Sequence, residues 1–241
     1  MEAVKQSLPV KDIVNVFFAR EFAYDILRRF FIEEPSKEYV KEFIQRNMID
    51  QFPFQDESDG ILDGVQVMKK YLSQHDPIHI DNHFEDLHWD YTRMFIGPFE
   101  ILAQPWESVY VRKDKLLFQK TTMDVRKVYE KYGFQTADFN IEPDDHVGLE
   151  LDFVYRLNQL CIQAGQSERP DASKEINYLL KEQQRFINDH LLAFIPMLAE
   201  RVATHAETDF FRGLAKILEH FLQMDSKVLQ ELLNIEIIQD K

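Results

Sequence analysis

The sequence predicts an all-α protein, on three observations. Apolar residues recur at three-or-four spacing through most of the chain, only 7 Gly and 9 Pro interrupt 241 residues, and no pair of alternating segments flanks a hairpin turn. The reading is a compact helical bundle of about nine to eleven helices in two subdomains, 1–141 and 142–241, joined by a hinge.

The first helix is expected from about Val10 to Glu33, ahead of Pro35, with Ile13, Val14, Phe17, Phe18, Ala23, Ile26, Leu27, Phe30 and Phe31 on one broad face. Ser36 caps a second helix to about Met48, and Pro53 closes the connection after it. A third, from about Asp59 to Gln74, repeats the stripe at Ile61, Leu62, Val65, Met68, Tyr71 and Leu72 and ends at Asp76-Pro77. A fourth, from about Ile78 to Ile96, stops at Gly97-Pro98. The segment after it, through Pro105-Trp106-Glu107-Ser108-Val109-Tyr110, reads as an aromatic-bearing loop followed by a short extended piece from Val111 to Phe118.

Thr121 with Asp124 predicts a capping-box start to a helix that Gly133 ends, and the polar run from Gln135 to Glu142 is the expected hinge. Pro143, Asp144 and Asp145 are expected to start the next helix, which runs to Gly165; Gln166 to Asp171 is a linker. Four further helices are expected: Ala172 to His190, Phe194 to His205, Thr208 to Met224, and Ser226 to Ile237.

The charge balance narrows the partners. With 28 basic and 42 acidic residues the formal charge is −14, a field that repels phosphate backbones and anionic lipid and attracts cationic peptides. Nucleic-acid binding and stable membrane insertion are therefore not expected. The single Cys161 reads as a buried apolar residue, and the N-terminal stretch lacks the basic-then-apolar pattern of an export signal, so a reduced, cytoplasmic setting is expected.

Three constellations carry possible chemistry. His75, His79, His83 and His88 sit among acids, but Pro77 breaks the helix that would align them, and a solvated polar face is expected rather than a metal site. The second is Glu142-Pro143-Asp144-Asp145-His146-Val147-Gly148-Leu149-Glu150. Glu150 lies four residues beyond His146, placed to orient or charge its imidazole, and Gly148 leaves room for a neighbouring backbone. Helix capping by one of the aspartates explains part of this pattern, and spacing alone leaves site and cap open. The third is Trp106-Glu107 with Tyr110, where packing between subdomains is the first reading for so large an aromatic. No catalytic nucleophile arrangement and no Gly-rich phosphate loop stands out, so no catalytic residue, cofactor or metal is expected.

The stretches Tyr91-Thr-Arg-Met-Phe-Ile-Gly-Pro98, Ala103-Gln-Pro-Trp-Glu-Ser-Val-Tyr110 and Glu142 to Phe153 together resemble the motifs of the TorD/DmsD family of redox-enzyme maturation chaperones. Phe186, His190-Leu191, Pro196 and Phe210-Phe211 add a third likeness, and the helix before Glu34-Pro35-Ser36 a less specific one; Gln104 and Met94 depart from the family's usual Pro and Leu. The resemblance implies a non-catalytic chaperone that binds the twin-arginine signal peptide or apo form of a molybdopterin oxidoreductase, assists cofactor insertion and delays export. It implies peptide binding by Pro105, Trp106, Glu107, Asp145 and His146, as a monomer or a domain-swapped dimer; the constellations add Tyr110, Asp144 and Glu150. A twin-arginine leader carries two guanidinium groups ahead of an apolar segment, so Glu107, Asp144 and Asp145 are expected to accept arginine while Trp106 and Tyr110 pack on it. A helical adaptor and a weak nucleotide-binding protein are the alternative functions.

Overall fold

The structure, a computed structural model, describes residues 7–98, 100–136, 141–167 and 169–238. Its helices are α1 (Val10–Ile32), α2 (Lys37–Gln45), α3 (Asp59–Gln74), α4 (Asp81–Tyr91), α5 (Glu107–Val111), α6 (Lys120–Lys131), α7 (Val147–Gly165), α8 (Ala172–Phe186), α9 (Leu192–His205) and α10 (Asp209–Asn234). The all-α class holds. Among the described residues a pair of three-residue strands, β1 (Ser7–Pro9) and β2 (Glu236–Ile238), run parallel with Leu8 opposite Ile237 and tie the chain's two described ends together. A parallel pair so distant in sequence carries no turn signal, so only tertiary placement reveals it.

Local chemistry explains three of the helix starts. The side chains of Ser36, Ser58 and Thr208 each accept a hydrogen bond from the amide three residues on, satisfying an orphan N–H of α2, α3 and α10. At α6 the predicted capping box is absent. Helix α6 begins after Gln119 with no side-chain cap, Thr122 turns inward to Asp145, and Asp124 pairs with Lys120 and Lys127 on the surface. Gly133 follows α6 with φ of +66°, the left-handed backbone expected of a C-terminal glycine.

Two long contacts organise the core: α1 packs along α7, and α3 along α10, with α8 and α9 closing the sides. Both pairings cross the chain at residue 142, and buried residues from Val10 to Ile237 join one apolar cluster. Phe30, Phe43 and Phe210 meet edge to face near its centre. At the crossing of α3 and α10, a Cβ on Gly64 would stand 2.8 Å from the carbonyl oxygen of Gly213, and one on Gly213 2.7 Å from that of Gly64. Mutual glycines let these two backbones touch.

Through the middle of this core runs a polar network. Arg20, completely buried, donates from Nε to Asp225 Oδ1 at 2.5 Å, from Nη2 to Oδ2 at 2.9 Å and from Nη1 to Asn158 at 2.6 Å, while the Tyr24 hydroxyl donates to Asp225 at 2.7 Å. These bonds join α1, α7 and α10. They also explain a difference from the expected helices, because α10 continues through Asp225 and Ser226 where a break is predicted. Residues that favour caps in isolation stay helical when the side chain is satisfied elsewhere.

Similarly, α8 passes into α9 through one wide turn at Ile187–Leu191, and Pro196 lies inside α9. Of the expected hinge, residues 137–140 lie outside the described residues, as do Glu168 of the linker and the first six residues of the chain.

Candidate functional site

The two central motifs meet. Helix α4 ends in a wide turn at Thr92–Ile96, closed when Gly97, with φ of +103°, donates its amide to the Thr92 carbonyl. The chain then doubles back, with the Ala103 amide donating to Met94 O at 2.9 Å, and delivers Pro105 and Trp106 beside Asp145 and His146. Glu107 N donates to Asp145 O at 2.9 Å and Val147 N to Pro105 O at 2.8 Å, an antiparallel bridge between Trp106 and His146. After it comes the single turn of α5, where the sequence suggested a loop and then an extended piece.

Asp145 is the knot. Fully buried, it accepts the Ser108 amide on Oδ2 and the Thr122 hydroxyl on Oδ1, both at 2.8 Å, so one carboxylate caps α5 and anchors α6. Asp144, also buried, pairs with Arg126 at 2.6 Å, and its carbonyl accepts the Tyr129 hydroxyl. Glu107 is buried with Oε2 3.0 Å from His190 Nδ1. The sequence expectation that Glu107, Asp144 and Asp145 face a guanidinium directly differs from this placement: each is bonded inside the fold.

The helix expected from Asp145 starts at Val147 instead. His146 is its cap, its Nδ1 accepting the Gly148 amide at 3.1 Å. Burial lowers the imidazole's pKa to about 4, so the ring is neutral, and Glu150 neither orients nor charges it. Glu150 is wholly buried with both oxygens lacking a hydrogen-bond partner among the described residues. Burial, then the charges of Glu107 and Asp145, push its pKa well above the usual carboxylate range. Gly148 plays the part the sequence suggested, since a Cβ there would lie 2.2 Å from the Ile32 Cα.

Trp106 is half-buried. Its indole Nε1 donates to Glu142 Oε1 at 2.5 Å, and its ring stands edge-on to His146 at 6.3 Å. Tyr110 donates to the Gln104 carbonyl at 2.8 Å and packs on Phe194. Gln104, the departure from the family's usual Pro, therefore sits in a loop that Tyr110 restrains.

Beside this junction opens a cleft of about 720 Å³ between the end of α1 and the start of α7. Glu33, Glu34, Tyr39, Glu142, His146 and Asp152 line it together with Arg28, Arg29 and Arg156. Arg28 and Arg156 are held by Asp152, and Arg29 by Asp25, whereas Glu33 is exposed and has no ion-pair partner among the described residues. Motif reading did not single out Glu33, Thr122 or Arg126 as site residues; nothing in their spacing marks them, because only the folded chain brings them to Asp144, Asp145 and His146.

Of the four histidines of the first constellation, His75, His79 and His83 gather around Asp76, with the His75 and His83 rings 5.1 Å apart. His83 Nδ1 accepts the Asp76 amide, His79 bonds the Asp76 carboxylate, His75 contacts the Tyr71 carbonyl, and His88 pairs with Glu34 on the cleft wall.

Comparison with known proteins bears directly on this region. Residues 58–200, which hold both motifs, match the family described as nitrate reductase delta subunit. The chain is 33% identical over 145 residues to chaperone protein TorD of Aliivibrio salmonicida, covering 60% of this chain and 64% of that protein. It is 34% identical over 141 residues to TorD of Photobacterium profundum (58% and 62%) and 31% over 144 residues to TorD of Vibrio cholerae (60% and 62%). Each match thus spans less than two thirds of the relative's length. The motif resemblance to the TorD/DmsD chaperones and the family match agree: the chain belongs to the nitrate reductase delta subunit family.

Proposed function

We propose that this protein is a non-catalytic cytoplasmic chaperone that binds the twin-arginine leader or the apo form of a molybdopterin oxidoreductase, assists cofactor insertion and delays export. The observation that carries the reading is the stitching of Pro105-Trp106-Glu107 to Asp145-His146 at the edge of an open cleft whose walls carry Glu33, Glu34, Glu142 and Asp152 as well as three arginines. The buried members of the motifs, Glu107, Asp144, Asp145 and Glu150, position that edge. Contact with the peptide falls to groups that reach the cleft: Glu33, Glu34, Glu142, His146 and the half-buried Trp106.

A guanidinium entering the cleft meets Glu33 as an unoccupied acceptor. Ion pairs so exposed contribute about 0.2–1 kcal/mol each, so affinity comes mainly from apolar contact. Ile141, next to Glu142 in the chain, and Val111, Leu116, Phe118 and Met123, which follow Tyr110, are exposed and supply such surface for a leader's apolar segment.

The test uses the two tryptophans. With Trp89→Phe, Trp106 is the sole indole, and synthetic twin-arginine leaders are titrated against it. A saturable change, weakened but not abolished by salt and lost when both arginines become glutamines, is expected. No response to any leader by a folded protein refutes leader binding at this edge.

A further inference from the structure

A second recess lies on the other side of α4. It has a volume of about 360 Å³ and sits where the end of α3, the middle of α4 and the start of α10 meet. Its walls include Tyr71, His75, Asp86, Trp89, Asp209 and Arg212.

Three observations define its chemistry. First, it is acidic beyond its own compensation: Asp209 is paired with Arg212 and Glu207 with Arg93, which also holds Asp90, but Asp86 is exposed and has no ion-pair partner among the described residues. Second, Tyr71 is 6% exposed, yet its hydroxyl has no hydrogen-bond partner among the described residues. Burial, then Asp86, Asp90 and Asp209, push that phenol's pKa up to about 12, which places the hydroxyl in the field of these carboxylates. A buried, unpartnered hydroxyl on the wall of a recess is a group awaiting a partner. Third, Trp89 is 62% exposed on the wall beside anionic groups, and Tyr71 and His75, stacked at 4.1 Å and 11°, add a second aromatic group to the lining.

We propose that this recess binds a cationic side chain of a polypeptide, specifically a guanidinium. Its planar face stacks on Trp89, its donors reach Asp86, and one of them meets the oxygen of Tyr71. Arginine suits the site better than lysine, because a flat, weakly hydrated cation stacks on an indole and offers several donors in fixed directions. An anion is disfavoured by three carboxylates on the walls, Asp86, Glu207 and Asp209, set against Arg212. The recess adjoins the cleft described above: His88 pairs with Glu34 of the cleft wall while its ring meets Trp89 edge-on at 4.6 Å. A polypeptide seated in the cleft is thus within reach, but the recess stands independently of the leader reading, since none of its residues belongs to the two motifs.

The experiment uses the full chain with Trp106→Phe, so that Trp89 alone reports. The probe is Nα-acetyl-arginine amide, with the uncharged, nearly isosteric Nα-acetyl-citrulline amide as control. A saturable change in Trp89 emission is expected at millimolar arginine amide and none with the citrulline compound. Asp86→Asn should weaken the response about fivefold, the loss of one partly exposed charge contact, and Tyr71→Phe should weaken it less. Should Trp106→Phe fail to fold, calorimetric titration of the otherwise unaltered chain against its Asp86→Asn variant reads the same difference. Equal responses to both compounds, unchanged binding in Asp86→Asn, or no saturable response would each overturn the assignment. A leader that binds at Trp106 with no arginine response at Trp89 overturns this inference alone.

Discussion

Two regions bury ionised or ionisable groups, and they do so in opposite ways. In the core, Arg20 meets a bidentate Asp225, and Asn158 and Tyr24 fill the remaining bonds, so the charges cancel inside one closed network. At the junction of the two motifs, Glu107, Asp144, Asp145 and Glu150 crowd together; among the described residues Arg126 pairs with Asp144 and the imidazole of His190 with Glu107, and neither Glu150 oxygen has a hydrogen-bond partner. The first arrangement is what registry between three helices requires. The second crowds acidic groups at the place where the cleft opens, at a cost in stability.

Breaking the core network should have the largest effect. Asp225→Ala leaves Arg20 charged and stranded, and a loss of about 3–5 kcal/mol is expected in urea denaturation. A loss near zero would remove the contrast between the regions.

Next is the acid limb of the junction. His146 titrates at about 4 in the fold against an ordinary 6.5, so the unfolded chain binds the extra proton between those values. Its contribution is complete above pH 6.5 and is lost as the pH falls to 4, roughly 3 kcal/mol in all. His146→Gln should remove that part of the acid destabilisation when unfolding is followed against pH.

Gly148→Ala presses a methyl group onto the Ile32 backbone. It should cost roughly 1–3 kcal/mol, read as a lowered denaturation midpoint.

Glu150 has the opposite pH sign from His146. Its folded pKa is raised, so the stability its proton confers is present below the ordinary carboxylate range and is lost as the pH rises. Glu150→Gln should therefore gain on the unaltered protein by about 1.4 kcal/mol per pH unit above that range, until the native carboxyl ionises. If the variant is less stable at every pH, the Glu150 carboxyl is satisfied in the fold and the junction resembles the core.

Much of the fold was legible. The stripes of α1 and α3 identify those helices almost to the residue and the serine cap fixes the start of α2, which ends at Gln45 rather than near Met48, because caps and periodicity are local. Arg20 escaped the reading although it interrupts an apolar face between Phe17 and Tyr24, a signal that a buried partner must exist. At the site, the order Pro-Trp-Glu then Asp-His was visible, but the spacing of Glu150 from His146 suggested a helical pair that does not form. A cap residue lies outside the helix, so the four-residue rule does not apply to it.

The sequence alone determined the helical class, the positions of most helix starts and the presence of two motifs, since each depends on residues within a few places of one another. Tertiary structure decided which groups those motifs expose. Whether Asp145 faces solvent or ties three helices, whether α10 breaks at Asp225, and whether the two ends pair as strands depend on partners 37, 205 and 229 residues away, as with Ser108, Arg20 and the Ser7 to Glu236 register. Burial and charge pairing are sums over such distant neighbours, and no local window contains them.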